Sequence, residues 1–216
     1  MTFKAILFDL DGTLLDTLDD LADSMNATLT QMGFPTHAVE RYKYFVGDGI
    51  VMLVRRALPA STDEAAVVRA VDVQRQEYGR RWANKTRLYA GIPELLDALT
   101  ARGLKRTIFS NKPDNFTRVT VEKFLSRWTF AVIRGERPPT PVKPDPAGAL
   151  NVAEELGLSP AEFIYLGDTN TDMACANAAD MYAVGALWGF RTAEELQAAG
   201  ARKLLRRPIE LLDLLA

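Results

Sequence analysis

Cysteine and histidine are almost missing from the chain: 216 residues hold one of each, Cys175 and His37. A lone thiol forms no internal disulfide and builds no thiolate metal site, so any bound metal would depend on oxygen ligands. A basic excess is absent as well. The 26 Lys+Arg face 28 Asp+Glu, a formal net charge of −2, whereas nucleic-acid binders carry a basic surplus or a basic face. No apolar run approaches the ~20 residues of a membrane span; the longest candidate, Met181–Phe190, contains two glycines. The first apolar stretch is interrupted by Asp9 and Asp11, which argues against a signal peptide. Gly 14 and Pro 11 are ordinary usage, which excludes collagen-like and disordered chains. What remains is a cytoplasmic globular protein, 48% apolar, long enough for one large domain or a core carrying a smaller insert.

The apolar pattern supplies the organisation. Lys4–Asp9 reads as a strand buried on both faces, because Ala5-Ile6-Leu7-Phe8 is apolar throughout. From Asp16 to about Arg81 the spacing turns helical: Leu18, Leu21, Met25, Leu29 and Met32 recur every three or four residues until Gly33-Phe34-Pro35 stops them. Tyr42–Phe45, Ile50–Leu58 and Glu64–Trp82 continue as helices. Strands and helices then alternate: helix Glu94–Ala101 ending at Gly103, strand Leu104–Ser110, helix Pro113–Leu125, strand Phe130–Arg134. Arg137–Pro146 holds five prolines and reads as a loop. Helix Ala147–Leu156, strand Glu162–Gly167, helix Asp172–Ala179, strand Met181–Leu187 and helices Ala193–Ala199 and Ile209–Leu215 follow. The alternation predicts an α/β fold, a Rossmann-like parallel sheet between helices. Residues 1–15 and 83–216 form its core, and 16–82 form an inserted all-helical cap.

Four motifs carry chemistry, each at a strand end or before a helix. Asp9-Leu10-Asp11-Gly12-Thr13 sets two carboxylates where open α/β sheets bind ligands, one suited to nucleophilic attack and metal binding, the other to acid–base work. Ser110-Asn111-Lys112 offers a hydroxyl and turn amides to phosphate oxygens. Lys143-Pro144-Asp145-Pro146 fixes a lysine between prolines. Gly167-Asp168-Thr169-Asn170-Thr171-Asp172 delivers further carboxylates, hard ligands that suit Mg²⁺. Singly, each has a plainer reading: an acidic turn, a Ser or Asn helix cap, a solvated lysine, a cap by Asp168 or Asn170. Cys175 reads as a small buried residue, His37 as an exposed loop residue, and Trp82, Trp128 and Trp188 as packing groups.

Taken in order, DxDGT, Ser, Lys-Pro and GDxxxD resemble the haloacid dehalogenase superfamily of phosphotransferases over essentially the whole chain. Ser110-Asn111-Lys112-Pro113, Lys143-Pro144-Asp145-Pro146, Trp188-Gly189-Phe190-Arg191 and Val46-Gly47-Asp48-Gly49 are similar to its phosphoglycolate phosphatase branch. Ala179-Asp180 departs from the Ala-Gly usual there. The resemblance implies a Mg²⁺-dependent phosphatase acting on a small phosphorylated metabolite such as 2-phosphoglycolate. It implies Asp9 as nucleophile, Asp11 as acid and base, and Mg²⁺ held by Asp9, Asp168 and the backbone carbonyl of Asp11, with Asp172 in support. Lys143 would offset charge, and Ser110 and Asn111 would grip the phosphoryl group with Thr13 nearby. It also implies a central Asp9 strand and, through Asp11, excludes dehalogenation. In the cap, Gly47 and Gly49 would let the substrate approach amides before the helix at Ile50, with Arg55 adding charge and Asp48 facing solvent. Expected partners are neither nucleic acid nor membrane, and the expected state is monomer or homodimer. The alternatives are a sugar-phosphate phosphatase, phosphoglucomutase or pyrophosphatase on this scaffold, or a phospho-aspartate receiver domain, which is shorter and has no helical insert.

Overall fold

The computed structural model describes residues 2–215. Strand β1 (Ala5–Phe8) lies at the centre, fully buried, and pairs in parallel on both sides. Its alternating side chains divide two cores. Ile6 and Phe8 join one with Ile92, Leu96, Val121 and Leu211; Ala5 and Leu7 join the other with Ala149, Val152, Met173 and Leu196. This is why all four positions are apolar.

The elements follow in chain order: β2 (Leu15–Asp16), α1 (Leu18–Gln31), α2 (Tyr42–Phe45), α3 (Ile50–Ala57), α4 (Glu64–Arg81) and β3 (Arg87–Leu88). Then come α5 (Ile92–Ala101), β4 (Lys105–Pro113), α6 (Asp114–Leu125), β5 (Val132–Glu136), α7 (Ala147–Leu156), β6 (Phe163–Gly167), α8 (Asn170–Ala178), β7 (Tyr182–Ala186), α9 (Ala193–Ala198) and β8 (Lys203–Leu205). Six strands form a parallel sheet in the order β5-β4-β1-β6-β7-β8. The order reverses at β1, and its carboxyl edge is where such sheets bind ligands.

Helices α1 to α4 build a third apolar cluster from Leu18, Met25 and Leu29 of α1, Leu53 and Val54 of α3, and Val67 and Val71 of α4. Phe190, from the loop after β7, inserts into it. The two chain crossings between this helical segment and the sheet run side by side as an antiparallel pair, Leu15 opposite Leu88 and Asp16 opposite Arg87.

Four expectations change in detail. β2 and β3 have two residues each, too few for a periodic signal, and β8 is an unforeseen sixth sheet strand. The last helix is a 3₁₀ segment, Pro208–Leu215. Strand β4 continues past Ser110 to Pro113, so Ser110 and Asn111 lie in the strand and cap no helix. His37 is half-buried rather than exposed, its amide donating to Asn26 Oδ1 and its Nε2 lying 2.8 Å from the Ala57 carbonyl.

Candidate active site

Beyond β1 and β6 the chain delivers Asp9 and Asp168 side by side. Phe8 is in register with Leu166, and the Asp9 amide donates to the Leu166 carbonyl at 2.9 Å. Two loops press on Asp168. A Cβ at Gly12 would lie 2.3 Å from Asp168 Oδ2, and one at Gly189 would lie 2.3 Å from Asp168 Cβ. Gly12 also holds φ +89°, a conformation that favours glycine. Asp168 accepts hydrogen bonds from Thr13 Oγ1 and the Phe190 amide, both at 2.8 Å. Thr13, expected beside the substrate, thus spends its hydroxyl on orienting Asp168.

Asp172 comes from the first turn of α8. Thr169 is the N-cap, and Asp172 Oδ2 accepts from the Thr169 amide at 3.0 Å and its hydroxyl at 2.6 Å. Asp172 Oδ1 turns inward to Lys143. The Lys143 ammonium donates to Asp9 Oδ1 at 2.8 Å, Asp172 Oδ1 at 2.7 Å and the Phe109 carbonyl at 3.3 Å. Asn111 fixes the Lys143 backbone: its Oδ1 accepts from the Lys143 amide at 2.8 Å, and its Nδ2 donates to the Lys143 carbonyl at 3.1 Å. The same Nδ2 reaches the Gly47 carbonyl at 3.0 Å, across the seam with the helical segment.

Carboxylate oxygens of Asp9, Asp168 and Asp172 lie within 4.8 Å of one another, all buried. Charges about 4 Å apart repel by about 4 kcal/mol at an effective dielectric near 20, and Lys143 alone answers three carboxylates. Burial, with Asp172 adding repulsion against the pull of Lys143, pushes the Asp9 carboxyl up to about 7. Burial and the neighbouring Asp172 and Asp9 raise Asp168 well above the carboxylate range. Burial favours a neutral Lys143, yet Asp172 and Asp9 hold its ammonium charged. All-oxygen donors with two unanswered negative charges fit a hard divalent cation such as Mg²⁺.

Asp11 stands apart from this trio. Its carboxylate accepts from Lys112 Nζ at 2.9 and 3.0 Å. Reading Ser110-Asn111-Lys112 for its hydroxyl and amides missed Lys112. The available signal was spacing, since residues two apart on a strand share a face, and a strand running to Pro113 sets Lys112 beside Ser110. Ser110 Oγ accepts from the Lys112 amide at 3.3 Å. These groups open on a cavity of about 80 Å³, lined also by Gly47, Gly49, Leu53, Tyr78 and Phe190. That is room for several waters or a small organic phosphate.

Two expectations for the helical segment fail. Arg55 does not line this cavity; it pairs with Glu64, its side chain 41% exposed. Asp48 turns to neither solvent nor substrate: it accepts from Thr171 Oγ1 at 2.6 Å and pairs with Arg56, tying the helical segment to α8. The α3 register decides this, placing Arg56, not Arg55, beside the loop at Asp48. Arg191 adds hydrogen bonds to the carbonyls of Lys43 and Val46.

The chain is similar to known proteins over most of its length. The family model described as haloacid dehalogenase-like hydrolase matches residues 6–186. A phosphoglycolate phosphatase of Chromobacterium violaceum is 34% identical over 98% of this chain and 96% of its own length. A second, from Pseudomonas syringae pv. tomato, is 33% identical over 87% of this chain and 70% of its own. The crystal structure of a Lactobacillus delbrueckii subsp. bulgaricus protein, provisionally assigned as a phosphoglycolate phosphatase, superposes with a TM-score of 0.94 at 29% identity, covering 100% of this chain and 99% of that one. The chain belongs to the haloacid dehalogenase-like hydrolase family.

Proposed function

We propose that this chain is a Mg²⁺-dependent phosphatase that hydrolyses 2-phosphoglycolate through a phosphorylated Asp9. The observation that carries the reading is the environment of Asp9: buried at 5% exposure, its Oδ1 held by Lys143, its Oδ2 receiving no hydrogen bond from the described residues. That oxygen is available for attack on phosphorus. The Asp9 O–P bond forms as the bond from phosphorus to the glycolate oxygen breaks, and Asp11 gives its proton to the departing oxygen. Asp11 then takes a proton from water as that water attacks phosphorus and releases Asp9. Lys143 stabilises the Asp9 carboxylate and keeps Oδ1 fixed, while Ser110 and the Asn111 amide hold phosphoryl oxygens. Mg²⁺, held by Asp9, Asp168 and the Asp11 carbonyl with Asp172 in support, would neutralise charge on the phosphoryl group.

Residues 16–82 act as a cap over a core of 1–15 and 83–216, and Gly47 and Gly49 bring backbone close to the substrate. The glycolate assignment draws support from the two phosphoglycolate phosphatase relatives and the small cavity. The near-balanced charge and the lack of any described helix able to cross a membrane fit a cytoplasmic enzyme, monomer or homodimer, working on a small metabolite. A panel of small phosphate esters assayed with Mg²⁺ tests the proposal. The expected result is the highest kcat/KM for 2-phosphoglycolate; preference for a neutral sugar phosphate rejects the assignment.

A further inference from the structure

Two lysines line the cavity, and no other cation among the described residues does. Lys143 is fully engaged, its three N–H groups directed to Asp9, Asp172 and the Phe109 carbonyl. Lys112 is different. Asp11 takes two of its directions, and the third faces the Tyr78 phenol. Its Nζ stands 4.8 Å from the centre of the Tyr78 ring, contributed by α4. Tyr78 is 5% exposed and lines the same cavity. The proton of its buried hydroxyl has no acceptor among the described residues. A buried phenol left unpaired is costly, and one at a ligand cavity is explained by a ligand that completes it.

We infer that Lys112 and Tyr78 together recognise the carboxylate of the substrate. A carboxylate at this point accepts from the Tyr78 O–H, while the Lys112 ammonium, oriented by Asp11 and the phenol, offsets its charge. The two groups stand on opposite sides of the seam, Lys112 on β4 and Tyr78 on α4, so the ligand ties the two parts of the molecule. The rest of the lining on the α1–α4 side carries no charge: Leu21, Val46, Ile50 and Leu53 are apolar, Gln74 and the Gly47 and Gly49 backbone are neutral, and Arg55 points away to Glu64. The inference rests on the 2-phosphoglycolate reading and assigns to it two specificity residues.

The test compares 2-phosphoglycolate with 2-hydroxyethyl phosphate, which lacks the carboxylate, in the full-length enzyme with Mg²⁺. The wild type favours 2-phosphoglycolate by at least about tenfold in kcat/KM. That preference falls about tenfold in Tyr78→Phe, mainly through KM, and further in Lys112→Met, with partial recovery in Lys112→Arg. Tyr78→Phe is the decisive variant, because Lys112 also touches Asp11. If Tyr78→Phe melts below the assay temperature, Lys112→Met against Lys112→Arg gives the same comparison. A fall in preference of less than about threefold overturns the carboxylate site while leaving the substrate reading intact. A wild type with no preference for 2-phosphoglycolate overturns the substrate reading and the carboxylate site with it.

Discussion

Asp9 keeps one oxygen on Lys143 and one free, and an isosteric amide tests what the free oxygen does. Asp9→Asn retains the shape and removes the anionic nucleophile. The expected result is a loss of turnover of at least about a thousandfold, with a melting temperature within a few degrees of wild type. Phosphate release by freshly purified protein, with deamidation excluded by mass spectrometry, measures it. Near-wild-type turnover contradicts the assignment. Asp11 differs in kind, since Lys112 answers its charge one to one, while Lys143 pairs with two carboxylates, Asp9 and Asp172, of a buried trio. Two acids two residues apart therefore enter different environments, as the roles proposed for them, nucleophile and acid–base group, require. Thr13 illustrates how a site residue can change meaning: its hydroxyl serves Asp168, so its loss should affect metal binding before substrate binding.

At the scale of elements, the loop Val46–Gly49 is fastened to the core through Asn111, Thr171 and Arg191. Asp48→Ala removes both the Thr171 hydrogen bond and the Arg56 pair. A charge-assisted hydrogen bond of this kind contributes about 1.5–3 kcal/mol, which lowers the melting temperature by roughly 3–12 °C for a domain of this size. KM is expected to rise several-fold, because the loop that carries Gly47 and Gly49 is held less firmly against the core. Scanning calorimetry and steady-state kinetics check this, and an unchanged KM contradicts a role for the contact in substrate binding. Much at this scale was legible. A strand apolar at every position read as buried on both faces, its central place came from the family resemblance, and glycines after α5 and α7 marked their ends, both with positive φ. The short pieces were not legible, because β2 and β3 have only two residues each and gain their pairing from where the crossings meet. Lys112 was hidden by the same local difficulty: the chain past Ser110 reads as a turn before a helix, yet pairing with β5 carries β4 on to Pro113. Which of Arg55 and Arg56 faced inward depended on the α3 register against the loop, a tertiary fact.

For the whole molecule, the acidic trio links metal, protons and stability. Burial lifts Asp9 from an ordinary 3.8 to about 7, and Asp168 shifts in the same direction. In protein stripped of metal, the native state therefore binds a proton at Asp9 more tightly than the unfolded chain does. This contribution to stability is fully present below the ordinary carboxylate range and fades as pH rises through about 7. Mg²⁺ needs the ionised carboxylate and reverses the trend. Calorimetric titration should give weaker Mg²⁺ binding at pH 6 than at pH 8, with protons released on binding, and added Mg²⁺ should raise the melting temperature more at the higher pH. Affinity independent of pH contradicts Asp9 as a ligand. Ca²⁺, with longer bonds and higher coordination numbers, is expected to bind and inhibit.

The central claim is that Asp9 becomes phosphorylated during turnover. Acid quenching of enzyme turning over 2-phosphoglycolate with Mg²⁺, followed by borohydride reduction and peptide mass spectrometry, reads it directly, because an acyl phosphate is reduced to an alcohol. The account predicts homoserine at position 9 in quenched wild-type enzyme and none in Asp9→Asn or without substrate. Rapid turnover with residue 9 unmodified, or with the modification at Asp11, Asp168 or Asp172, contradicts it.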